Sequence, residues 1–219
     1  MQETVTTRGL LFDMDGVLIS SIGSVRRSWR AWCRHYGVPG AETFEIPHGT
    51  RAIEIVRQVK PDIDAEEGLR LIEDIEMADT DDLKVLDGVP ELLDSLPKDR
   101  WTVVTSATRR LMLERLRVAG LPAPERIIAA DDVTNGKPDP EPYRKGAEIL
   151  GFDPADCIVV EDAPAGVSAG LAAGCRVLGV LGTHQAHELA HATWQVRSLR
   201  DVQARPTADG LRLSLEKLP

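Results

Sequence analysis

Apolar and polar residues alternate along this chain in two rhythms. Gly9-Leu10-Leu11-Phe12 is a short unbroken apolar run, and after Asp87-Gly88-Val89-Pro90 such runs return at Trp101 to Thr105, Arg126 to Ala129, Cys157 to Val160 and Arg176 to Val180. Helical stretches separate them. Short apolar runs alternating with helices predict an α/β fold, a Rossmann-like, doubly wound parallel sheet with right-handed crossovers. Between about Ser20 and about Lys84 the rhythm is helical instead. Val25, Trp29 and Trp32 share a face of one helix, over about Ser24 to His35, that ends near Gly37 and Pro39. Ile53, Val56 and Val59 mark a second helix after Thr50. Leu69, Ile72 and Ile75 mark a third after Asp64, with acids on its other face. The expectation is an all-helical cap, residues 20–84, inserted into a core made of residues 1–19 and 85–219. Two linkers would join them and act as a hinge. Near the end, Val202 to Arg205 and Leu211 to Leu215 flank Asp209-Gly210, as in a small terminal hairpin.

Composition narrows the partners. A length of 219 residues suits one core carrying a smaller inserted domain. The 35 acidic residues outweigh 26 basic ones, for a formal charge of -9, and no Lys/Arg cluster interrupts them, which argues against nucleic acid. An anionic substrate would then need local help from a bound cation, placed basic side chains and backbone N–H groups. No apolar run is long enough to span a bilayer, and Met1-Gln2-Glu3 lacks the charged and apolar regions of a signal peptide. A cytoplasmic protein, monomeric or a weak homodimer, is expected. Cys33, Cys157 and Cys175 are odd in number and widely spaced, so buried free thiols are expected rather than disulfides or a zinc knuckle.

Chemistry gathers where the apolar runs end. Asp13 and Asp15, one residue apart after Phe12, would face one crevice at the carboxyl edge of the sheet, and Gly16 would let the backbone turn close to an anion. Taken alone, that segment is equally well a solvated turn. Thr105-Ser106 ends the next run and supplies a hydroxyl and N–H donors, although a helix N-cap is the commoner use of such residues. Asn135-Gly136-Lys137-Pro138-Asp139-Pro140 sets Lys137 on a rigid loop. Glu161-Asp162 ends the run Cys157 to Val160 as a second acidic pair. Two acidic pairs at one edge would repel in a partly dry site unless a cation bridges them, and Mg²⁺, which takes hard oxygen ligands and retains water and phosphate, is the expected cofactor.

The order Asp-x-Asp-Gly, Thr-Ser, Gly-Lys-Pro and Glu-Asp, with a helical insertion after the first, resembles the haloacid dehalogenase superfamily. The likeness covers nearly the whole chain. Leu96-Pro97-Lys98-Asp99-Arg100-Trp101, Pro140-Glu141-Pro142-Tyr143, Glu161-Asp162-Ala163-Pro164-Ala165-Gly166 and His48-Gly49-Thr50-Arg51 are similar to its glycerol-phosphate, deoxyglucose-6-phosphate and sugar phosphatases. The resemblance implies a Mg²⁺-dependent hydrolase of a small sugar or polyol phosphate. Asp13 would be the nucleophile and Asp15 the acid and base. Asp13, the carbonyl of Asp15 and Asp162, with Glu161, would hold the metal. Thr105, Ser106 and Lys137 would take the phosphoryl oxygens, beside Gly16. His48 and Arg51 would reach the leaving group from the cap, against the plainer reading of a packed histidine and a solvated arginine. Val17 and Ser20 replace a frequent Thr and a frequent Asp of the first motif. Val17 also occurs in related phosphomutases, so a β-phosphoglucomutase-like mutase is the alternative, with a non-catalytic phosphate-binding protein further behind. A dehalogenase would leave Asp15 without a purpose.

Three local patterns point elsewhere. His187-Glu188-Leu189-Ala190-His191 fits the zinc-protease pattern, but no clear third ligand follows, and a solvated helix bearing histidines is expected. Gly166-Val167-Ser168-Ala169-Gly170 fits a nucleophile elbow, yet Ser168 should fall inside a helix, with Gly166, Gly170 and Gly174 on one close-packing face. Gly136-Lys137 lacks the earlier glycine of a P-loop.

Overall fold

A computed structural model describes residues 2–46 and 49–218. Its strands are β1 (Gln2–Thr7), β2 (Gly9–Phe12), β3 (Ile19–Ser20), β4 (Lys84–Val85), β5 (Trp101–Val103), β6 (Cys157–Glu161), β7 (Arg176–Val180), β8 (Trp194–Val196), β9 (Val202–Pro206) and β10 (Leu211–Glu216). The α-helices are α1 (Ile22–His35), α2 (Ala52–Val59), α3 (Ala65–Ala78), α4 (Val89–Asp94), α5 (Arg109–Ala119), α6 (Glu141–Leu150) and α7 (Pro164–Ala172).

The central sheet runs β5-β2-β6-β7-β8, and all its pairings are parallel. Side chains on a strand point alternately to the two faces. Leu10 and Phe12 of β2 therefore join Ile158 and Val160 of β6 in one core cluster, with Met112 and Leu116 of α5 and Leu92 of α4. Leu11, Cys157 and Val159 join the other, with Tyr143 and Ala147 of α6 and Val167 of α7. Helices thus cover both faces of a parallel sheet, the α/β class expected.

The run Arg126 to Ala129 does not become a strand. Ile128 forms an isolated bridge to Val104, with Ile128 N–H donating to Val103 O and Thr105 N–H to Ile128 O, at the outer edge of the sheet. A second sheet, β1-β10-β9, is antiparallel and includes the terminal hairpin. Its β1 strand was not anticipated. Leu211, Leu213 and Leu215 of β10 pack into the first core cluster.

Between β3 and β4, which pair antiparallel at Ile19↔Val85 and Ser20↔Lys84, the chain runs through α1, α2 and α3. These helices carry their own core of Trp29, Trp32, Cys33, Ile55, Val56 and Ile72. Asp64 caps α3 by accepting from the N–H groups of Glu66 and Glu67. Trp32 Nε1 donates to Gly68 O at 2.8 Å, tying α1 to α3. Of the stripe expected on α2, Val56 is buried and Val59 packs against this core, while Ile55 is buried in place of Ile53. On α3 the acids are not all solvated: Glu73 and Glu76 are buried.

Candidate active site

The sheet puts its chemistry at the carboxyl ends of β2, β5 and β6. Asp13 N–H donates to Val160 O, which fixes the end of β2 beside the end of β6. Lys137, on the loop before α6, reaches back to that junction and is only 3% exposed. Its Nζ lies 2.6 Å from Asp13 Oδ1, 2.7 Å from Glu161 Oε1 and 3.2 Å from Val104 O. An ammonium taken this far out of water is held only by such partners. Burial lowers the pKa of Lys137, but the carboxylates of Asp13 and Glu161 outweigh it and the net displacement is upward.

Glu161 anchors this lysine. Oε1 also accepts from Tyr143 Oη at 2.7 Å, and Oε2 accepts from the N–H groups of Asp162 and Ala163 at 2.9 and 3.0 Å. Four donors surround the carboxylate, and through Oε1 it positions Lys137. Gly166 on α7 makes this possible, because a Cβ there would overlap the Glu161 carboxylate.

Asp13, Glu161 and Asp162 each place a carboxylate oxygen within 4.8 Å of the others. Burial first, and then the neighbouring acids against the pull of Lys137, push Asp13 up to about 7. Asp162 is also raised, by burial and then by Glu161 and Asp13. The cluster carries more negative charge than one ammonium offsets, and the shortfall is what a divalent cation supplies. The oxygens of Asp13, Asp162 and Glu161 are of the hard kind that a divalent cation takes, and those of Glu161 also carry the donors named above. Gly16 has φ +89 and lies so close to Asp162 that a Cβ would overlap that carboxylate. Its N–H donates to Ile19 O at 2.7 Å, so what Gly16 gives the site is room and not a donor.

Asp15 faces a different way. Its Oδ1 accepts from Ser21 Oγ at 2.6 Å and its Oδ2 from Arg115 Nη1 at 2.8 Å. Arg115, on α5, is buried and donates through Nη2 to Glu76 of α3 at 2.7 Å. Burial lowers Arg115, yet Asp15 and Glu76 raise it on balance; burial drives Glu76 up to about 7 against Arg115. Ser21, Arg115 and Glu76 were all missed in the sequence. The available signal was charge on an apolar stripe: Arg115 stands with Leu111, Met112 and Leu116 on the buried face of α5, and Glu76 follows Ile72 by four residues on α3.

Thr105 and Ser106 line the same cavity, of about 100 Å³, with Asp13, Asp15, Gly16 and Asp162. They are not the N-cap of α5. Thr108 is, accepting from Leu111 N–H. Thr105 Oγ1 accepts from Ala107 N–H at 3.1 Å, and Ser106 Oγ donates to Gly49 O of the insertion at 2.6 Å. Arg51 lies apart from the cavity wall. It donates to Glu54 Oε1 at 2.8 Å, to Val133 O at 2.9 Å and to Thr134 O at 2.8 Å, so its guanidinium holds the start of α2 to a core loop. His48 lies outside the described residues.

The misleading patterns resolve locally. Residues 186–191 form turns rather than a helix, with His187 and His191 exposed and Leu189 buried. Ser168 sits within α7 and donates to Pro164 O. Gly170 packs against Val159 and Val177, whereas Gly174 has φ +93 and lies beyond the helix. No helix among the described residues is long and apolar enough to cross a membrane.

A parallel sheet that gathers acids, hydroxyls and a buried lysine at its carboxyl edge, beneath a helical insertion, places this protein among the α/β enzymes that handle anionic groups at that edge. Residues 10–180 match the model of the haloacid dehalogenase-like hydrolases, and the chain belongs to that family. It is 38% identical over 208 residues to hexitol phosphatase A of Escherichia coli (strain K12), covering 93% of this chain and 96% of that one. It is 36% identical over 185 residues to glycerol-1-phosphate phosphohydrolase 2 of Saccharomyces cerevisiae, covering 79% and 74%. The fold is also that of a β-phosphoglucomutase from Clostridium difficile, with a TM-score of 0.74, 22% identity, and 90% and 94% of the two chains covered. The protein is an enzyme, a phosphatase of this family.

Proposed function

We propose that the protein hydrolyses a small sugar or polyol phosphate, with Mg²⁺, through a phosphorylated Asp13. The observation that carries this reading is Lys137, buried between Asp13 and Glu161 at the edge of the sheet. Such an ammonium keeps a carboxylate in place and leaves positive charge where phosphoryl oxygens arrive. In this reading Asp13 attacks phosphorus, and the bond to the leaving oxygen breaks. Asp15 protonates the departing alkoxide, then takes a proton from the water that attacks the aspartyl-phosphate, which returns Asp13 and releases phosphate. To act as an acid, Asp15 has to carry a proton when substrate binds, and it exchanges one of its two donors, Ser21 or Arg115, so that this proton is directed to the leaving oxygen. Thr105, Ser106 and Lys137 meet the phosphoryl oxygens.

Asp13, Asp162 and the backbone carbonyl of Asp15 would hold Mg²⁺, which neutralises charge on the phosphoryl group and lets an anionic nucleophile approach it. Residues 20–84 serve as a cap that closes the chamber against bulk water. A polyol or sugar phosphate is favoured because the curated relatives are named for hexitol, glycerol-1-phosphate and 2-deoxyglucose-6-phosphate. Three buried free cysteines suit a cytoplasmic setting.

The reading is tested by phosphate release from glycerol, hexitol and hexose phosphates, with and without Mg²⁺. Release should need the metal and be abolished in Asp13→Asn. Equal release from that variant and the parent protein removes Asp13 as nucleophile. A mutase would share these groups, and formation of an isomerised sugar phosphate from a sugar bisphosphate would reveal one.

A further inference from the structure

The chamber has two kinds of wall. Asp13, Asp15, Thr105 and Asp162 line its phosphoryl end, while Val25, Trp29, Ile46, Ile55 and Leu111 make much of the rest apolar. Into this second part project two charged side chains, Glu76 from α3 and Arg115 from α5. We propose that Glu76 and Arg115 read the hydroxyl groups of the leaving alcohol, Glu76 as acceptor and Arg115 as donor, and so select polyol phosphates over esters of alcohols that carry no further hydroxyl. This rests on the phosphatase reading above and names the specificity determinants within it.

Joining the helices does not require this pair. Glu73 already accepts from Thr108 Oγ1, Arg110 Nη1 lies 3.2 Å from Glu73 Oε2, and Arg110 Nη2 lies 2.6 Å from Asp74 Oδ1, so α3 and α5 are tied a turn away. Glu76 and Arg115 meet at 2.7 Å with side chains 6% and 7% exposed. Two charges taken out of water to this extent lose hydration that their mutual attraction only partly restores, and apolar side chains of similar volume would join the helices at least as well. What they provide is hydrogen-bonding capacity on the chamber wall.

The placement suits a vicinal diol. Arg115 holds Asp15 through one nitrogen and Glu76 through the other. A leaving oxygen at Asp15 therefore sets the next carbon's hydroxyl near the guanidinium and the Glu76 carboxylate, one a donor and the other an acceptor. A hydroxyl placed there gains hydrogen bonds to the guanidinium and the carboxylate that an alcohol lacking it cannot make, and the preference comes from those added bonds to charged groups.

The test compares kcat/KM for glycerol phosphate and propyl phosphate, which share a phosphoryl group and a three-carbon chain. The parent protein should prefer glycerol phosphate. Glu76→Gln, nearly isosteric, should reduce the ratio of the two by about 10- to 100-fold, the range for one hydrogen bond to a charged group. Arg115→Lys should reduce it as well, because any effect on Asp15 is common to both esters and cancels in the ratio. Glu73→Gln, on the same helix interface but outside the chamber, should leave the ratio as it is. An unchanged ratio in both chamber variants, a proportional loss on both esters, or a parent that does not discriminate each overturns the proposal. Absence of release from any phosphomonoester overturns the phosphatase reading instead, and this one with it.

Discussion

At the scale of single residues, the site is governed by how closely groups approach one another. Lys137 is held by Asp13 and Glu161, and Glu161 in turn by Tyr143 and two backbone N–H groups, so the order of this cluster depends on the Glu161 carboxylate having space. That space is Gly166. Helix propensity alone favours Ala over Gly in a helix by roughly 0.5–1 kcal/mol. Here the added methyl would overlap the Glu161 carboxylate, and the displaced acid would carry Lys137 with it. Gly166→Ala is therefore expected to destabilise the protein by about 1–3 kcal/mol net, as overpacking of a filled interior does, and to lose most of its phosphatase activity. Urea unfolding together with phosphate release measures both. Gly182→Ala, where a Cβ would meet no atom within 4 Å, is the comparison and should be close to neutral. A gain in stability at position 166 would mean that helix propensity, rather than the Glu161 contact, decides.

At the scale of elements, α1, α2 and α3 meet the core through a few directed contacts. Arg51 at the start of α2 donates to Val133 O and Thr134 O, and Ser106 Oγ donates to Gly49 O. If Arg51 fastens the insertion instead of touching substrate, Arg51→Ala should lower kcat/KM on every ester by a similar factor, on the order of 10-fold for a lost charged hydrogen bond. A substrate panel checks this. Loss confined to hydroxylated esters would return Arg51 to the role first read for it.

The elements also mark where the sequence was readable. Asp13, Thr105 and Glu161-Asp162 were legible because each follows a short apolar run, and a buried strand end is a local pattern. Arg126 to Ala129 gave the same local signal yet made only one bridge, because a strand is completed by its neighbours and this segment lies at the sheet edge. β1 was illegible for the converse reason. Gln2–Thr7 is polar in five of its six positions and is specified by pairing with β10, some two hundred residues away. Arg115 and Glu76 looked like ordinary charges on helices, since only the docking of α3 on α5 puts them inside.

At the scale of the whole molecule, an acidic protein of formal charge -9 concentrates Asp13, Glu161 and Asp162 in its interior around a single lysine. Folding without a cation works against this arrangement, because burial and the neighbouring carboxylates disfavour the charge on Asp162. A ligand that binds only the folded state adds stability by mass action, about 2.7 kcal/mol at a hundred times its Kd. For a chain of this size each kcal/mol moves Tm by roughly 2–4 °C, so saturating Mg²⁺ should raise Tm by about 5–10 °C over protein in EDTA. Asp162→Asn separates stability from function. It removes one of the mutually repelling acids while keeping its shape, so in EDTA the variant should be at least as stable as the parent. It should also fail to respond to Mg²⁺ and lose phosphate release. Thermal unfolding of both proteins with EDTA and with Mg²⁺ decides the matter, and the same Mg²⁺ shift in parent and variant would place the cation elsewhere. The opposite movement of stability and activity is what the proposed role of Asp162 requires, since an acid buried beside others of its charge costs the fold stability that the bound cation would restore.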